Sequence, residues 1–392
     1  MQLEERVPTL AAAAHGEATS REERKRMTSS ALTVAIVGTG IGGTEMAGYL
    51  GAEGGRVRVH DVRPEAVGGI RERGGLDVSG IASGFAPIER ATTDLAEAVE
   101  GAALIAVTTV NNDHDAVATA LAPLLRDGQI VCLIPGYIGG ALQFRHQLDR
   151  LGCTARVKLG EMDNFPFTGA IEGPAAVRVA SLKRQLQVAA LPASDGPAVV
   201  EAVRALLPPV VAAANVFQTA LATMNPILHV PGMLGNQGRL DAGEPFQFYG
   251  AGITPSVARV VDALDGERVA LARAFGVPVP TVRQWLAQAY GLEGDDLYAL
   301  IQRLHHEVFK NSPAPGRLDA RYITEDVPFG LVPLSELGRL AGVATPIAVG
   351  LSQIASAALG RDFFREGRTL ERMGLEGRSL DAILSAVTRT LP

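Results

Sequence analysis

The fold follows from one stretch of sequence, Thr33-Val-Ala-Ile-Val-Gly-Thr-Gly-Ile-Gly-Gly43. Its first five residues are mostly β-branched and apolar, which predicts a short strand. The pattern G-x-G-x-x-G follows at once, and Met46, Ala47 and Leu50 behind it predict one apolar face of a helix. A glycine-rich turn between a strand and a helix is typical of dinucleotide-binding domains and is more specific than the glycine pattern alone.

The glycines of this turn have distinct expected roles. Gly38 permits the tight turn, Gly40 lets the backbone approach a pyrophosphate, and Gly43 lets the helix pack on the strand. The next predicted strand ends at Asp61, whose carboxylate can accept both hydroxyls of an adenosine ribose. Asp61 would repel a 2′-phosphate and favours NAD, whereas Arg63 could hold that phosphate, so NADP is the alternative cofactor.

Alternating strands and helices continue to about residue 213. The apolar run 103–107 predicts a buried parallel strand, and Thr108 and Thr109 follow its carboxyl end, where such sheets bind ligands. A strand at 129–134 leads into a second glycine-rich loop at 135–140. Further pieces at 175–180 and 185–191 are expected to complete the same sheet, and Asp113 is expected to cap a helix running through 116–125.

The hydrophobic period of α-helices takes over from Asn215 onward. Helices are predicted near 215–236, 254–275, 281–290, 294–309, 331–341, 345–359 and 378–389. Thr254 followed by Pro255 marks the start of one of them, as a hydroxyl cap with proline in the first turn. We therefore predict an α/β protein with a Rossmann-type dinucleotide-binding domain over 31–213 and an all-helical C-terminal domain over 214–392.

Two polar side chains, Asn225 and His229, stand out in the mostly apolar first helix of that domain. They are four residues apart and so share one face. Burying an amide and an imidazole without partners is costly, which leaves two interpretations. One is a satisfied core histidine, the more common case for a lone histidine. The other is a general acid/base beside an amide that orients the substrate.

A second polar stretch, Arg321-Tyr-Ile-Thr-Glu-Asp-Val-Pro328, is predicted to be a site loop; the alternative is a surface salt bridge among exposed charges, which is worth little energetically. His305, His306 and Glu307 are adjacent, so on a helix they point in different directions. They predict a polar helix face, and we expect no metal site.

Composition excludes several classes of protein. With 392 residues, 47% hydrophobic and 20% charged, the chain is globular and long enough for two domains. A net charge of −6 is unlike a nucleic-acid binder, and no apolar run reaches the roughly 18 residues of a membrane span. Cys132 and Cys153 indicate a reducing compartment, here the cytoplasm. Residues 1–30 are expected to be a mobile tail, with Met27 as an alternative start.

Taken together, these motifs resemble the octopine/nopaline (opine) dehydrogenase family. The likeness extends from about Thr33 to the C-terminus. Its specific elements lie in the helical half: Asn225-Pro-Ile-Leu-His-Val-Pro231, Gly235-Asn236, Phe248-Tyr249, Gly252-Ile-Thr-Pro-Ser256, Leu264-Asp265 with Glu267-Arg268, and Arg321-Tyr322 with Glu325-Asp326-Val-Pro328.

The resemblance implies an NAD(P)H-dependent condensation of an amino acid with an α-keto acid, through an imine that is then reduced. It implies that His229 is the general acid/base, that Asp326 pairs with it and that Arg321 holds a substrate carboxylate. Asn225 and Tyr249 are expected to contact substrate. The segment 110–113 departs from the family by lacking a proline after Thr109, and 162–165 is atypical as well, so the substrates stay open.

Two other classes of function remain as alternatives: another two-domain reductase or dehydrogenase, and a non-catalytic nucleotide-binding protein. A two-domain hydroxyacid or ketopantoate reductase would need a lysine on the helix after the dinucleotide domain. Lys25, Lys158, Lys183 and Lys310 all lie elsewhere. A 3-hydroxyacyl dehydrogenase uses a histidine, but in a different motif, and a non-catalytic nucleotide-binding protein need not keep His229, Asp326 and Arg321 together.

The apolar C-terminal helices would suit a homodimer.

Overall fold

The computed structural model describes residues 32–388. In chain order the strands are β1 (Thr33–Val37), β2 (Arg56–His60), β3 (Gly75–Gly80), β4 (Gly84–Pro87), β5 (Arg90–Thr92), β6 (Leu104–Val107), β7 (Ile130–Leu133), β8 (Lys158–Met162), β9 (Phe167–Gly173), β10 (Ala176–Leu182), β11 (Leu186–Leu191) and β12 (Val210–Ala212).

The helices are α1 (Ile41–Ala52), α2 (Pro64–Arg73), α3 (Leu95–Val99), α4 (His114–Leu121), α5 (Gly140–Arg150), α6 (Gly196–Leu206), α7 (Val216–Ala222), α8 (Asn225–Leu234), α9 (Gln237–Asp241), α10 (Pro255–Ala274), α11 (Val282–Tyr290), α12 (Leu297–Glu307), α13 (Arg321–Thr324), α14 (Val332–Ala341), α15 (Pro346–Leu359), α16 (Phe363–Glu366) and α17 (Leu380–Thr388). Two 3₁₀ turns, Asn111–Asp113 and Ala193–Asp195, and a π-helix, Val327–Leu331, complete the set for residues 32–388.

These elements form two compact units. Within the described residues, the first unit comprises 32–104 with 167–181, and the second comprises 105–166 with 182–388. This division does not coincide with the boundary expected between residues 213 and 214, which stays a prediction. The expected mobile tail and the alternative start at Met27 lie outside the described residues.

The first unit contains the strand–turn–helix that the glycine pattern predicts. Strands β1, β2 and β5 run parallel in that order, and all five residues of β1 are buried. A separate four-stranded sheet has the order β4-β3-β10-β9. The expectation that the segment 175–180 completes the parallel sheet is wrong, because it lies in β10, which pairs with β3. Helix α1 packs closely on this sheet, since a Cβ added at Gly48 would lie 2.7 Å from Val177 Cγ1.

In the second unit the strands follow the order β12-β11-β8-β7-β6, with β8 parallel to β7 and antiparallel to β11. The strand predicted at 185–191 is confirmed as β11. The prediction that the Asp113 side chain caps a helix is wrong. Helix α4 begins at His114, and the Asp113 carboxylate accepts no capping hydrogen bond from the helix amides. Thr254 does cap its helix, since its hydroxyl accepts a hydrogen bond from the Val257 amide at 3.3 Å.

The first predicted helix of the C-terminal half is two helices. Thr223 is extended, with φ −64° and ψ 134°, and separates α7 from α8. Pro226 explains the break, because it has no N–H to bond the Ala222 carbonyl and its ring would clash with that oxygen. Both Asn225 and His229 therefore belong to α8. The described part of the chain has no helix long and apolar enough to cross a membrane.

Candidate active site

The glycine turn of the first unit has the geometry of a phosphate cradle. Gly38 has φ +107°, a left-handed conformation that favours glycine. Gly40 directly precedes helix α1, and a Cβ added there would have no atom of residues 32–388 within 4 Å, its chain neighbours aside. The space beside Gly40 is thus open in front of the helix N-terminus, where unpaired N–H groups favour a pyrophosphate.

The Asp61 carboxylate lies beside this turn and is held in place from two sides. Its Oδ2 accepts hydrogen bonds from the Thr39 amide at 2.9 Å and the Thr39 hydroxyl at 3.0 Å. Its Oδ1 accepts from the Arg63 Nε at 2.9 Å. Although burial opposes ionisation, the hydrogen bonds from Arg63 and Thr39 hold the pKa of Asp61 below its usual range. A fixed carboxylate at this position suits the ribose hydroxyls of a dinucleotide.

In the second unit, His229 and Asp326 form a buried pair. His229 Nδ1 lies 2.7 Å from Asp326 Oδ2, across 97 positions of sequence. Tyr322 stacks on the imidazole, with ring centroids 3.7 Å apart and an interplanar angle of 2°. Phe248 meets it edge-on at 5.7 Å. The ring is therefore fixed on its face, on its edge and at one nitrogen.

The other oxygen of Asp326 has a partner that the sequence reasoning missed. Tyr137, from the second glycine-rich loop, donates its hydroxyl proton to Asp326 Oδ1 at 3.0 Å. Asn225 Nδ2 donates in turn to the Tyr137 hydroxyl oxygen at 3.0 Å. Asn225 and His229, which share a helix face, are thus joined through Tyr137 and Asp326.

The predicted site loop 321–328 is helical. Arg321 begins α13, and Asp326 immediately precedes the π-helix Val327–Leu331. Pro328 lies in the first turn of the π-helix and does not interrupt it, because a residue in the first turn of a helix needs no N–H. Arg321 Nε lies 3.1 Å from Glu325 Oε2, and 57% of the arginine side chain is exposed.

Glu325 is buried and links this short helix to the segment that departs from the family pattern. Its Oε1 accepts hydrogen bonds from the Asn111 amide at 2.9 Å and from Asn111 Nδ2 at 3.0 Å. Burial raises the pKa of Glu325, while the Arg321 charge opposes that rise. Asn111 is therefore a further residue of this cluster that sequence reasoning did not single out, although its segment was noted as unusual.

The remaining predicted site residues lie farther from the imidazole or in separate surroundings. Tyr249 contacts Phe248 edge-on at 5.1 Å and stacks on Phe309, so one ring separates it from His229. Thr108 is buried just after β6, and the Thr109 hydroxyl has no hydrogen-bond partner among residues 32–388. The same residues contain no group of three or more His, Cys, Asp or Glu placed to hold a metal.

Comparisons with known families match both halves of the chain. The family described as NAD/NADP octopine/nopaline dehydrogenase, alpha-helical domain, matches residues 212–359. The family described as NAD binding domain of 6-phosphogluconate dehydrogenase matches residues 33–135. An opine dehydrogenase of Arthrobacter sp. (strain 1C) is 36% identical over 356 residues, which cover 91% of this chain and 98% of that protein. The octopine dehydrogenase of Pecten maximus is 26% identical over 337 residues, which cover 75% of this chain and 81% of that protein.

Solved structures show the same fold. Octopine dehydrogenase in complex with NADH and agmatine superposes with a TM-score of 0.73 at 21% identity, covering 92% of this chain and all of that one. Yersinopine dehydrogenase with bound NADP⁺ has a TM-score of 0.67 at 17% identity, covering 91% of this chain and 97% of that one.

Proposed function

The chain belongs to the octopine/nopaline (opine) dehydrogenase family, and on that premise we propose roles for the residues gathered around His229. The protein is an NAD(P)-dependent oxidoreductase of the CH–NH group, which condenses the amine of an amino acid with an α-keto acid and reduces the imine. Family membership decides against the hydroxyacid dehydrogenase and the non-catalytic alternatives. The observation that carries the residue roles is the 2.7 Å contact between His229 and Asp326.

His229 is the general acid/base of the proposal. Asp326 accepts the Nδ1 proton, so Nε2 is the nitrogen that exchanges protons with substrate. When the amine nitrogen has attacked the keto carbon, the former carbonyl oxygen is a hydroxyl. Protonated Nε2 gives its proton to that hydroxyl, which leaves as water while the nitrogen lone pair forms the C=N bond.

Asp326 supports the protonated form of the ring. A carboxylate within hydrogen-bond distance stabilises imidazolium and fixes which nitrogen carries the proton in the neutral ring. Tyr322 and Phe248 hold the imidazole plane, so Nε2 keeps one direction while its charge changes. Asn225 and Tyr249 are proposed to line the substrate position.

Arg321 is proposed to bind the carboxylate of the keto acid. Its closest contact with Glu325 is through Nε, and more than half of the side chain is exposed, so a ligand can reach the terminal nitrogens. A guanidinium matches a carboxylate through two parallel hydrogen bonds. Glu325 keeps the arginine charged and oriented between turnovers.

In the first unit, Gly38, Gly40, Gly43 and Asp61 are proposed to bind the dinucleotide. In the second unit, Thr108 and Thr109, which follow β6, are proposed as further cofactor-binding residues. When bound, the reduced nicotinamide supplies the hydride that reduces the imine carbon. We propose NAD as the preferred form because Asp61 is held as a carboxylate. NADP is the second choice, because Arg63 contacts that carboxylate and its side chain is exposed, so that it could bind the 2′-phosphate of NADP.

The reaction is tested with a matrix of amino acids against pyruvate, glyoxylate and 2-oxoglutarate, with NADH and NADPH oxidation followed by absorbance. Activity that requires both an amine and a keto acid, with a secondary-amine dicarboxylate as the product by mass spectrometry, is the expected result. Oxidation with a keto acid alone would instead indicate a hydroxyacid dehydrogenase.

Replacing Arg321 with Leu should raise the keto-acid KM about tenfold or more, because a charged hydrogen-bonding partner of the carboxylate is lost. Arg303→Leu is the matched control, since Arg303 forms a similar exposed pair with Glu307 four residues later. Steady-state kinetics at saturating NADH measure both variants. Equal KM values in the two would remove Arg321 from the substrate site.

A cytoplasmic location and a homodimer remain proposals. The first is supported by the two cysteines, which are free in the described structure. The second is supported by the apolar C-terminal helices and is checked by light scattering of the purified protein.

A further inference from the structure

We infer that Tyr137 is a positioning residue that shares the charge of Asp326 with His229 and thereby tunes the acid/base strength of the imidazole, and that Arg368 holds Tyr137 in place. This inference rests on the proposed role of His229. It adds to that role a residue from the second glycine-rich loop and one from the C-terminal segment.

The direction of the hydrogen bonds around Tyr137 is fixed by chemistry. Asn225 Nδ2 can donate hydrogen bonds but cannot accept them, so it donates to the phenol oxygen. The single phenol proton is then directed to Asp326 Oδ1, 3.0 Å away. Burial, together with the charges of Asp326 and Glu325, raises the pKa of Tyr137 well above its ordinary value. The phenol therefore stays a donor to Asp326 across the working pH range.

The backbone of Tyr137 is held in an uncommon conformation. Its φ of +57° lies in the left-handed region, which residues other than glycine rarely adopt. Arg368 Nη1 donates to the carbonyl oxygens on both sides, Gly136 at 3.2 Å and Ile138 at 2.8 Å. The guanidinium thus clamps the peptide groups that set where the phenol points.

Arg368 also ties this loop to the residues beside Asp326. It is fully buried, and its Nη2 donates to Asn111 Oδ1 at 3.2 Å while its Nε donates to Gln143 Oε1 at 2.5 Å. Asn111 in turn binds Glu325, the neighbour of Asp326. Arg368 therefore contacts the loop that carries Tyr137 directly, and it is linked to the segment that carries Asp326 through Asn111 and Glu325.

Other charged or titratable groups face the His229–Asp326 pair and must stay constant in any test. Tyr322 stacks on the imidazole, while Arg321 and Glu325 precede Asp326 in the same short segment. Tyr249 lies one ring away. Replacing Tyr137 with Phe leaves these four unchanged and removes the phenol hydroxyl. The variant therefore loses the proton that is directed to Asp326, whose positive end opposes protonation of the nearby ring, and also the oxygen that accepts from Asn225.

The test is the pH dependence of Tyr137→Phe. The limb of the kcat/KM profile that reports His229 should move upward by about half a pH unit to one unit, with the keto-acid KM little changed. Tyr298→Phe is the matched control, because Tyr298 lies on α12, away from the loop. Arg368→Met should lower kcat and move the limb in the same direction, since the clamp on the loop is lost.

A second measurement keeps this test separate from the proposed function. The His229 ring signals of the cofactor-free protein, assigned with His229→Ala, are titrated by NMR in wild type and in Tyr137→Phe. An upward shift of the midpoint supports the inference even if wild type reduces no imine, an outcome that would refute the proposed function alone. Superimposable titrations of wild type and Tyr137→Phe would overturn the inference.

Discussion

Two histidines of the same compact unit, His114 and His229, are both buried and both meet a phenylalanine edge-on, yet they differ in their polar contacts. Neither nitrogen of His114 has a hydrogen-bond partner among residues 32–388, and its ring meets Phe144 edge-on at 6.4 Å. Burial and the positive charge of Arg368 lower the pKa of His114 to about 3. His229 has Asp326 at 2.7 Å and a stacked tyrosine. Burial without a hydrogen-bond partner disfavours the charged form of His114, whereas His229 has a carboxylate within hydrogen-bond distance.

The largest expected effect comes from removing the paired histidine. His229→Ala should lower kcat by about 10²–10⁴, because the variant lacks the group proposed to move the proton, while NADH affinity is retained. Steady-state kinetics and NADH fluorescence titration measure the two quantities. His114→Leu is the comparison and should keep kcat near that of wild type. Loss of NADH binding or of the folded state in His229→Ala would favour the core-histidine interpretation.

A smaller effect is expected when the carboxylate is removed and His229 is kept. Asp326→Asn preserves the shape of the side chain but no longer supplies a negative charge to the imidazole. His229 would then lack a carboxylate partner, as His114 does. We expect kcat to fall by about a hundredfold and the acid limb of the pH profile to move. An unchanged kcat would show that the charge of Asp326 plays no part in proton transfer.

The smallest effect concerns stability and belongs to His114. In the unfolded chain an imidazole takes up a proton near pH 6.5, whereas the folded ring stays neutral until about pH 3. Below pH 6.5 the unfolded state therefore binds more protons, and the free energy of unfolding falls as the pH falls. Between pH 7 and pH 5 this accounts for about 2 kcal/mol, which His114→Leu should remove.

Urea denaturation of wild type and His114→Leu at the two pH values measures this difference. A constant offset from lost packing cancels, because only the change with pH is compared. An equal loss of stability in both proteins would mean that His114 takes up its proton in the folded state.

Local patterns predicted most of the fold. Short-range period, caps and prolines predict the glycine turn, Asp61 and the helices α10, α11, α12, α14, α15 and α17, whereas α13 lies where a loop was predicted. The pairing of β3, β4, β9 and β10 into one sheet was not predicted, because β9 and β10 lie about 90 residues beyond β3 and β4 in the chain. Pairing of that kind leaves no local pattern to detect.

The site was predictable only where residue type indicates chemistry. His229, Asp326 and Arg321 were identified by their family motifs. Tyr137 was not, because its partners lie 88 and 189 positions away and a tyrosine in a glycine-rich loop has many ordinary explanations. Arg368 gave no signal at all, since its four hydrogen-bond acceptors are two backbone carbonyls and two amide side chains, all more than 220 positions away in the sequence.

The extended residue Thr223 isolates the helix that carries His229 from the one before it. In a continuous helix, one residue gained or lost would turn every later side chain by about 100° about the axis. The interruption absorbs such a change, so length variation in α7 leaves the angular setting of α8 intact. Insertions before Thr223 should accordingly be tolerated during divergence, whereas a single insertion between Asn225 and His229 would point the imidazole away from Asp326.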